Sequence, residues 1–109
     1  MKIGVDMVDI NRLNLEHFHF IERVLTPNEL VVYQNKKTDK QKREYLGGRF
    51  AAKEAVMKAL GTGIGKTSFQ EIEVLNKSNG CPYLNIENAS ISISHENHYA
   101  IAFVVINED

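Results

Sequence analysis

At 109 residues and a net charge of −1, the chain is sized for one domain and lacks the basic excess that general nucleic-acid binding requires. Hydrophobic residues at 43% and charged residues at 25% are ordinary values for a soluble domain, and no apolar run reaches the length of a membrane span. The N-terminus meets Asp6 before any signal-peptide core forms, and the single cysteine, Cys81, has no disulfide partner and no metal-spaced neighbour, so the expected compartment is the reducing cytoplasm.

Ile3, Val5 and Met7 alternate with Lys2, Gly4 and Asp6, which predicts a strand with Asp6 on the face opposite the apolar set. A short helix is expected from about Asp9, carrying Arg12 and Leu13, followed by an apolar-periodic piece through Phe18, Ile21, Val24 and Leu25. Thr26-Pro27-Asn28-Glu29 joins a capping box to a proline at the first helical position, so a helix starts there and ends near Asn35. Thr38-Asp39-Lys40-Gln41 offers a second box, and the pattern continues to Leu60 as one long central helix that Gly61 ends. Beyond it the period falls to two. Ile72 and Val74 alternate with Glu71 and Glu73, Asn79-Gly80 marks a turn, and Tyr83 to Ile86 returns as the second strand of a hairpin. Ile91 and Ile93 alternate with Ser90, Ser92 and Ser94, and the last strand, Tyr99 to Ile106, is apolar on both faces, so it is either central or covered by a neighbouring subunit. The fold class is α+β: an antiparallel sheet packed on one long helix, with shorter helices from the first half, in a single domain over 1–109.

The long helix carries its charges in an unusual pattern. Leu46, Phe50, Met57 and Leu60 share the stripe that should face the core. Arg49 and Lys53 lie one turn apart on one flank, where like charges cost about 0.2–0.5 kcal/mol unless an anion is shared between them. On the other flank Gly47, Ala51, Glu54 and Lys58 line up, so Glu54 projects from a face stripped of bulk, which suits either helix packing or the admission of a ligand. Lys36, Lys37, Lys40, Lys42 and Arg43 cluster near the helix start, where they oppose the macrodipole; solvation explains such a run, and so does an acidic partner. Gly61-Thr-Gly-Ile-Gly65-Lys66-Thr67 looks like a phosphate loop but fails the test. Leu60 stands where the motif needs its first glycine, and the segment closes a helix instead of opening one. Gly61, Gly63 and Gly65 allow close backbone approach to a ligand, or simply turn the chain.

Three dispersed elements together are far more specific: Gly4-Val5-Asp6 on the first strand, Phe50-Ala-Ala-Lys-Glu-Ala55 on the long helix, and Ser92-Ile-Ser-His95 at a strand end. With Ile21-Glu-Arg-Val-Leu-Thr26, Lys58-Ala-Leu-Gly-Thr-Gly-Ile-Gly65 and the Asn79-Gly-Cys-Pro82 turn, the chain resembles the 4′-phosphopantetheinyl transferases of the short bacterial holo-acyl-carrier-protein synthase type over nearly its whole length. The resemblance implies transfer of the 4′-phosphopantetheine arm of coenzyme A to a serine of apo acyl carrier protein, a step that serves fatty acid biosynthesis, with release of adenosine 3′,5′-bisphosphate. It implies magnesium held by Asp6 and Glu54, with Glu54 or a metal-bound water that it orients as the base, and Lys58 neutralising charge on the phosphates. Arg49, Lys53 and His95 match positions around the coenzyme A phosphates, with Gly61, Gly63, Gly65 and Pro82 as further coenzyme contacts. Arg12 matches a position that meets the acidic carrier, and the family's homotrimer puts active sites between subunits.

Two residues depart from the family pattern. Cys81 stands where a lysine or arginine is usual, and Glu96 replaces a small hydroxyl residue, so both reduce positive character near the expected nucleotide end and predict weaker coenzyme affinity. Two other readings compete with the transferase. One is a noncatalytic coenzyme A-binding or assembly protein of the same fold; the other is a nucleotide hydrolase, which leaves Asp6 without a role.

Overall fold

The computed structural model describes residues 1–61 and 67–108. β1 (Lys2–Asp9), β5 (Tyr99–Ile106) and β4 (Ala89–His95) form an antiparallel sheet in the order β1-β5-β4, so the doubly apolar last strand is the central one. β1 pairs with β5 along its full length, from Lys2 opposite Ile106 to Asp9 opposite Tyr99. The other edge of β5 takes β4, from Ala89 opposite Ile106 to His95 opposite Ala100. A separate two-stranded sheet joins β2 (Val74–Asn76) to β3 (Pro82–Leu84).

The long helix covers one face of the main sheet, and the two shorter helices pack against that helix. α1 (Phe18–Val24) and α2 (Pro27–Gln34) precede the long α3 (Asp39–Leu60). The expected capping box at α2 is present in both halves: the Thr26 hydroxyl accepts from the Glu29 amide and the Glu29 carboxylate accepts from the Thr26 amide. At α3 only half of the expected box forms. Thr38 accepts from the Gln41 amide, whereas the Gln41 side chain turns one residue further back, to the amide of Lys37. Gly61 ends α3 in the left-handed conformation, at φ 70°. The short helix expected from Asp9 is a single 3-10 turn, Ile10–Arg12, and a second 3-10 turn, Phe69–Glu71, replaces the start of the expected strand at Ile72. Side chains displace the ladder there. The Glu73 amide donates to the Asn85 side chain and the Val74 amide to Glu29, so strand pairing begins only at Val74.

β1 turns its alternating apolar set away from the helices. Ile3, Val5 and Met7 are exposed to 59%, 47% and 61%, while Gly4, Asp6 and Val8 face α3. A Cβ on Gly4 would stand 1.9 Å from the Ala55 carbonyl oxygen, so the strand crosses the helix with backbone almost on backbone. The small face of α3 is therefore packing surface as well as access. Gly47 admits the Ile10 side chain, Ala51 and Ala55 are fully buried, and Ala102 and Val104 of β5 complete the core beneath them. Because the collision at Gly4 is with main chain, a Gly4→Ala substitution is expected to destabilise the fold by about 3 kcal/mol or more, the upper end for overpacking. Gly61→Ala, which meets open space and suffers only left-handed strain, is expected to cost about 1–2 kcal/mol. Urea unfolding of the two variants side by side measures the difference.

Candidate active site

Gly4 brings Asp6 down onto the helix, two residues along the same face of β1. The Lys58 ammonium donates to the Asp6 carboxylate at 2.9 Å and to the Val5 carbonyl at 3.1 Å. Glu54, one turn before Lys58, completes the group. Its carboxyl is pushed above the usual glutamate range, first by burial and then by the negative charge of Asp6, with Lys58 opposing. Two carboxylates far apart in sequence and one lysine thus share a single corner where β1 crosses α3. Among the described residues no cluster of three or more histidine, cysteine or carboxylate ligands exists, so a cation at this corner would be held by Asp6 and Glu54 with water completing its shell.

Two of the clefts along α3 hold expected site residues. One, of about 560 Å³, is lined by Phe20 and Arg23 of α1, by Phe50, Glu54 and Met57 of α3, and by Phe69. Glu54 is its acidic residue on the helix. The other, of about 640 Å³, is basic on one side, with Lys36, Lys37, Arg49 and His95 around Asn76 and Gly80. Arg49 stacks its guanidinium 4.3 Å from the Tyr45 ring centroid, donates to the Val74 carbonyl at 3.3 Å, and donates to the Asn76 side chain. His95 reaches Glu44 through Nδ1 at 3.4 Å. Pro82 pairs with Asn76 in the β2–β3 ladder and so stands beside the same cleft.

Lys53 does not join them, which corrects the expectation of one phosphate shared with Arg49. It is fully buried, and its ammonium donates to Glu29 at 2.6 Å, to the Val24 carbonyl at 2.6 Å and to the Phe69 carbonyl at 3.0 Å. An ammonium has three donors, and all are engaged inside the protomer. Burial lowers the Lys53 pKa from the usual lysine range, and the bond and charge of Glu29 oppose the shift. The like-charge pair on the wheel is thus resolved by an internal carboxylate in place of an external anion.

Of the three glycines after the long helix, Gly61 caps α3, and Gly63 and Gly65 lie outside the described residues. Arg12 is exposed on its 3-10 turn, 3.5 Å from Asp9. Cys81 is exposed, its amide donating to the Asn79 side chain. The Glu96 carboxylate accepts from the His98 amide at 3.1 Å and so ties the turn between β4 and β5. Sequence reasoning gave no chemistry to Glu29, Tyr45, Gln70 or Asn76. Of these only Glu29 carried a signal, as the third helical residue of its capping box, and that signal announced one bond of the several it makes.

The family model of the 4′-phosphopantetheinyl transferase superfamily matches residues 2–104. The holo-[acyl-carrier-protein] synthase of Anoxybacillus flavithermus is 48% identical over 95% of this chain and 92% of its own length, and that of Oceanobacillus iheyensis is 43% identical over 95% and 93%. Among solved structures, the holo-(acyl-carrier-protein) synthase of Bacillus anthracis in complex with CoA (3′,5′-ADP) superposes with a TM-score of 0.87 at 44% identity, covering 94% of this chain and 92% of that one. The Helicobacter pylori holo-[acyl-carrier-protein] synthase in complex with coenzyme A gives 0.82 at 34% identity, covering 96% and 99%. Likeness that extends end to end in both sequence and coordinates is more than a shared motif or a common fold: this chain belongs to the 4′-phosphopantetheinyl transferase superfamily.

Proposed function

We propose that the protein is one 4′-phosphopantetheinyl transferase domain over 1–109 that moves the phosphopantetheine arm of coenzyme A onto a serine of apo acyl carrier protein. The observation that carries this reading is the convergence of Asp6, Glu54 and Lys58 at one corner. The names of the full-length relatives, two of them solved with coenzyme A or its nucleotide part, supply the substrates.

The donor set fits magnesium: two hard carboxylate oxygen donors, one of them half-buried and made costly to ionise by the other, are stabilised together by a divalent cation. When bound, the ion supplies charge neutralisation on the diphosphate. Glu54, or a water that it orients, takes the serine proton as the hydroxyl oxygen forms a bond to the phosphorus bearing the pantetheine. The bond from that phosphorus to the bridging oxygen breaks, and adenosine 3′,5′-bisphosphate leaves with the electron pair. Lys58 stands where it can offset charge that develops on the phosphates. The test is release of adenosine 3′,5′-bisphosphate from coenzyme A. Release that requires both magnesium and apo carrier is expected, and coenzyme A bound but left intact would favour the noncatalytic reading.

The basic cleft suits the nucleotide end, with Lys36, Lys37, Arg49 and His95 gathered around it. Arg49→Ala is expected to weaken coenzyme A about tenfold and its analogue lacking the 3′-phosphate much less, measured by calorimetry. Equal losses for the two ligands would remove Arg49 from the phosphate. Arg12, exposed and basic, is assigned to the acidic carrier.

A homotrimer accounts for the outer face of the sheet, where Ile3, Val5, Met7, Ile101 and Phe103 are all exposed. Aligned on neighbouring strands, they form one apolar surface that association would bury. Sedimentation is expected to give three protomers of 12.4 kDa, and Phe103→Glu to dissociate them. A wild-type monomer at working concentration would contradict the assembly. No described helix is long and apolar enough to cross a membrane, and the assigned compartment is the cytoplasm.

A further inference from the structure

The cleft at Glu54 has two walls that belong to different parts of the chain. α1 supplies Phe20 and Arg23 on one side, and the 3-10 turn Phe69–Glu71 supplies the other, with α3 as the floor. Phe69 is half-buried and packs against both hydrophobic clusters and the Phe50 ring, whereas Gln70, on the same turn, is exposed. Hydrogen bonds supply the rest of the hold. The side-chain amide nitrogen of Gln70 stands 2.9, 3.1 and 2.7 Å from the carbonyl oxygens of Glu22, Arg23 and Leu25. Two hydrogens are thus shared among three acceptors at the end of α1, where helical carbonyls have no partner of their own. The one carbonyl omitted from that run, Val24, is taken by Lys53, whose ammonium also holds the Phe69 carbonyl. Glu29 balances the Lys53 charge through one oxygen and receives the Val74 amide on the other, which fixes the chain as it leaves the turn. All four carbonyls from Glu22 to Leu25 are therefore gripped across the cleft by two side chains.

We propose that Gln70 and Lys53 are positioning residues, a brace that sets the width of the cleft and so the approach of substrate to Glu54. The brace rests on the transferase reading. Neither side chain is assigned a contact with substrate; each acts through the walls it joins.

Gln70 is exposed, which makes it the safer site to test. Gln70→Ala removes the donors, Gln70→Glu keeps the shape but presents oxygens to carbonyls, and Gln70→Lys restores donors in a different form. With coenzyme A, magnesium and apo carrier, the alanine and glutamate variants are expected to lose about tenfold or more in kcat, because small misplacement at a reacting centre is costly. Affinity for coenzyme A is expected to stay within about twofold, since the basic cleft is untouched, and the lysine variant to recover at least half of the lost rate. Amide exchange at residues 22–25 and 69–74 is expected to accelerate in the glutamate variant. Unchanged exchange, an unchanged kcat in the glutamate variant, or a loss of rate that lysine does not rescue overturns the brace. A wild-type protein that transfers nothing overturns the transferase reading itself, and so separates the two failures.

Discussion

Asp6→Asn and Glu54→Gln are each expected to remove most turnover, by about a hundredfold or more, while the protein unfolds at nearly the wild-type denaturant concentration. Both substitutions keep size and hydrogen-bonding shape and delete the charge that a hard cation requires. Glu54→Gln also relieves the like-charge strain between the two carboxylates, so its stability is expected to hold or rise slightly. Because the two act through one ion, the double variant is expected to be little worse than the poorer single one. The raised Glu54 carboxyl adds a pH signature. A group that keeps its proton above the ordinary glutamate range must lose it before it can bind metal or accept a proton, so activity falls on the acid side at a higher pH than an unperturbed glutamate would give. Metal competes with that proton, so more magnesium is expected to move the acid limb to lower pH. Near-normal rates in either variant, or an acid limb indifferent to magnesium, would count against the shared-ion assignment.

Lys53→Met is expected to give the largest loss of stability, about 3–5 kcal/mol, because it leaves the Glu29 carboxylate buried without its counter-charge. Glu29 would keep its bonds from the Thr26 and Val74 amides, so the loss is electrostatic more than steric. Combining Lys53→Met with Glu29→Gln is expected to cost much less than the sum of the two single changes, since the orphaned charge is then gone. Urea unfolding of the four proteins in the cycle measures the coupling. A Lys53→Met protein as stable as wild type that loses only coenzyme A affinity would restore the shared-phosphate explanation that burial now rules against.

Legibility in the sequence followed the range of the interaction. The start of α2 and the end of α3 are set by bonds spanning three or four residues, and Thr26, Glu29 and Gly61 announced both. The central position of β5 was readable because only an inner strand, or one covered by a partner, is apolar on both faces. Period-two alternation in β1 separated two faces but carried no sign telling which one is inside, and the apolar one turned out to face outward. Gly4 was the available clue, since a bare residue next to Asp6 permits contact between strand and helix. Lys53 was misread for a related reason. A helical wheel registers Arg49 one turn away and is blind to Glu29, which arrives from another helix. Asp6, Glu54 and Lys58 were found through likeness to a family and are brought together by the fold; composition and spacing alone offered no reason to join the first strand to the long helix. Gln70 had no local signature at all, because its three acceptors lie on α1 and just beyond it, far back along the chain.

The central claim is transfer of the phosphopantetheine arm, and the mass of the carrier tests it most directly. Apo acyl carrier protein incubated with this protein, coenzyme A and magnesium is expected to gain the mass of one phosphopantetheine arm on its serine, and to gain nothing when magnesium is chelated. A carrier whose mass stays unchanged with every component present would contradict the account.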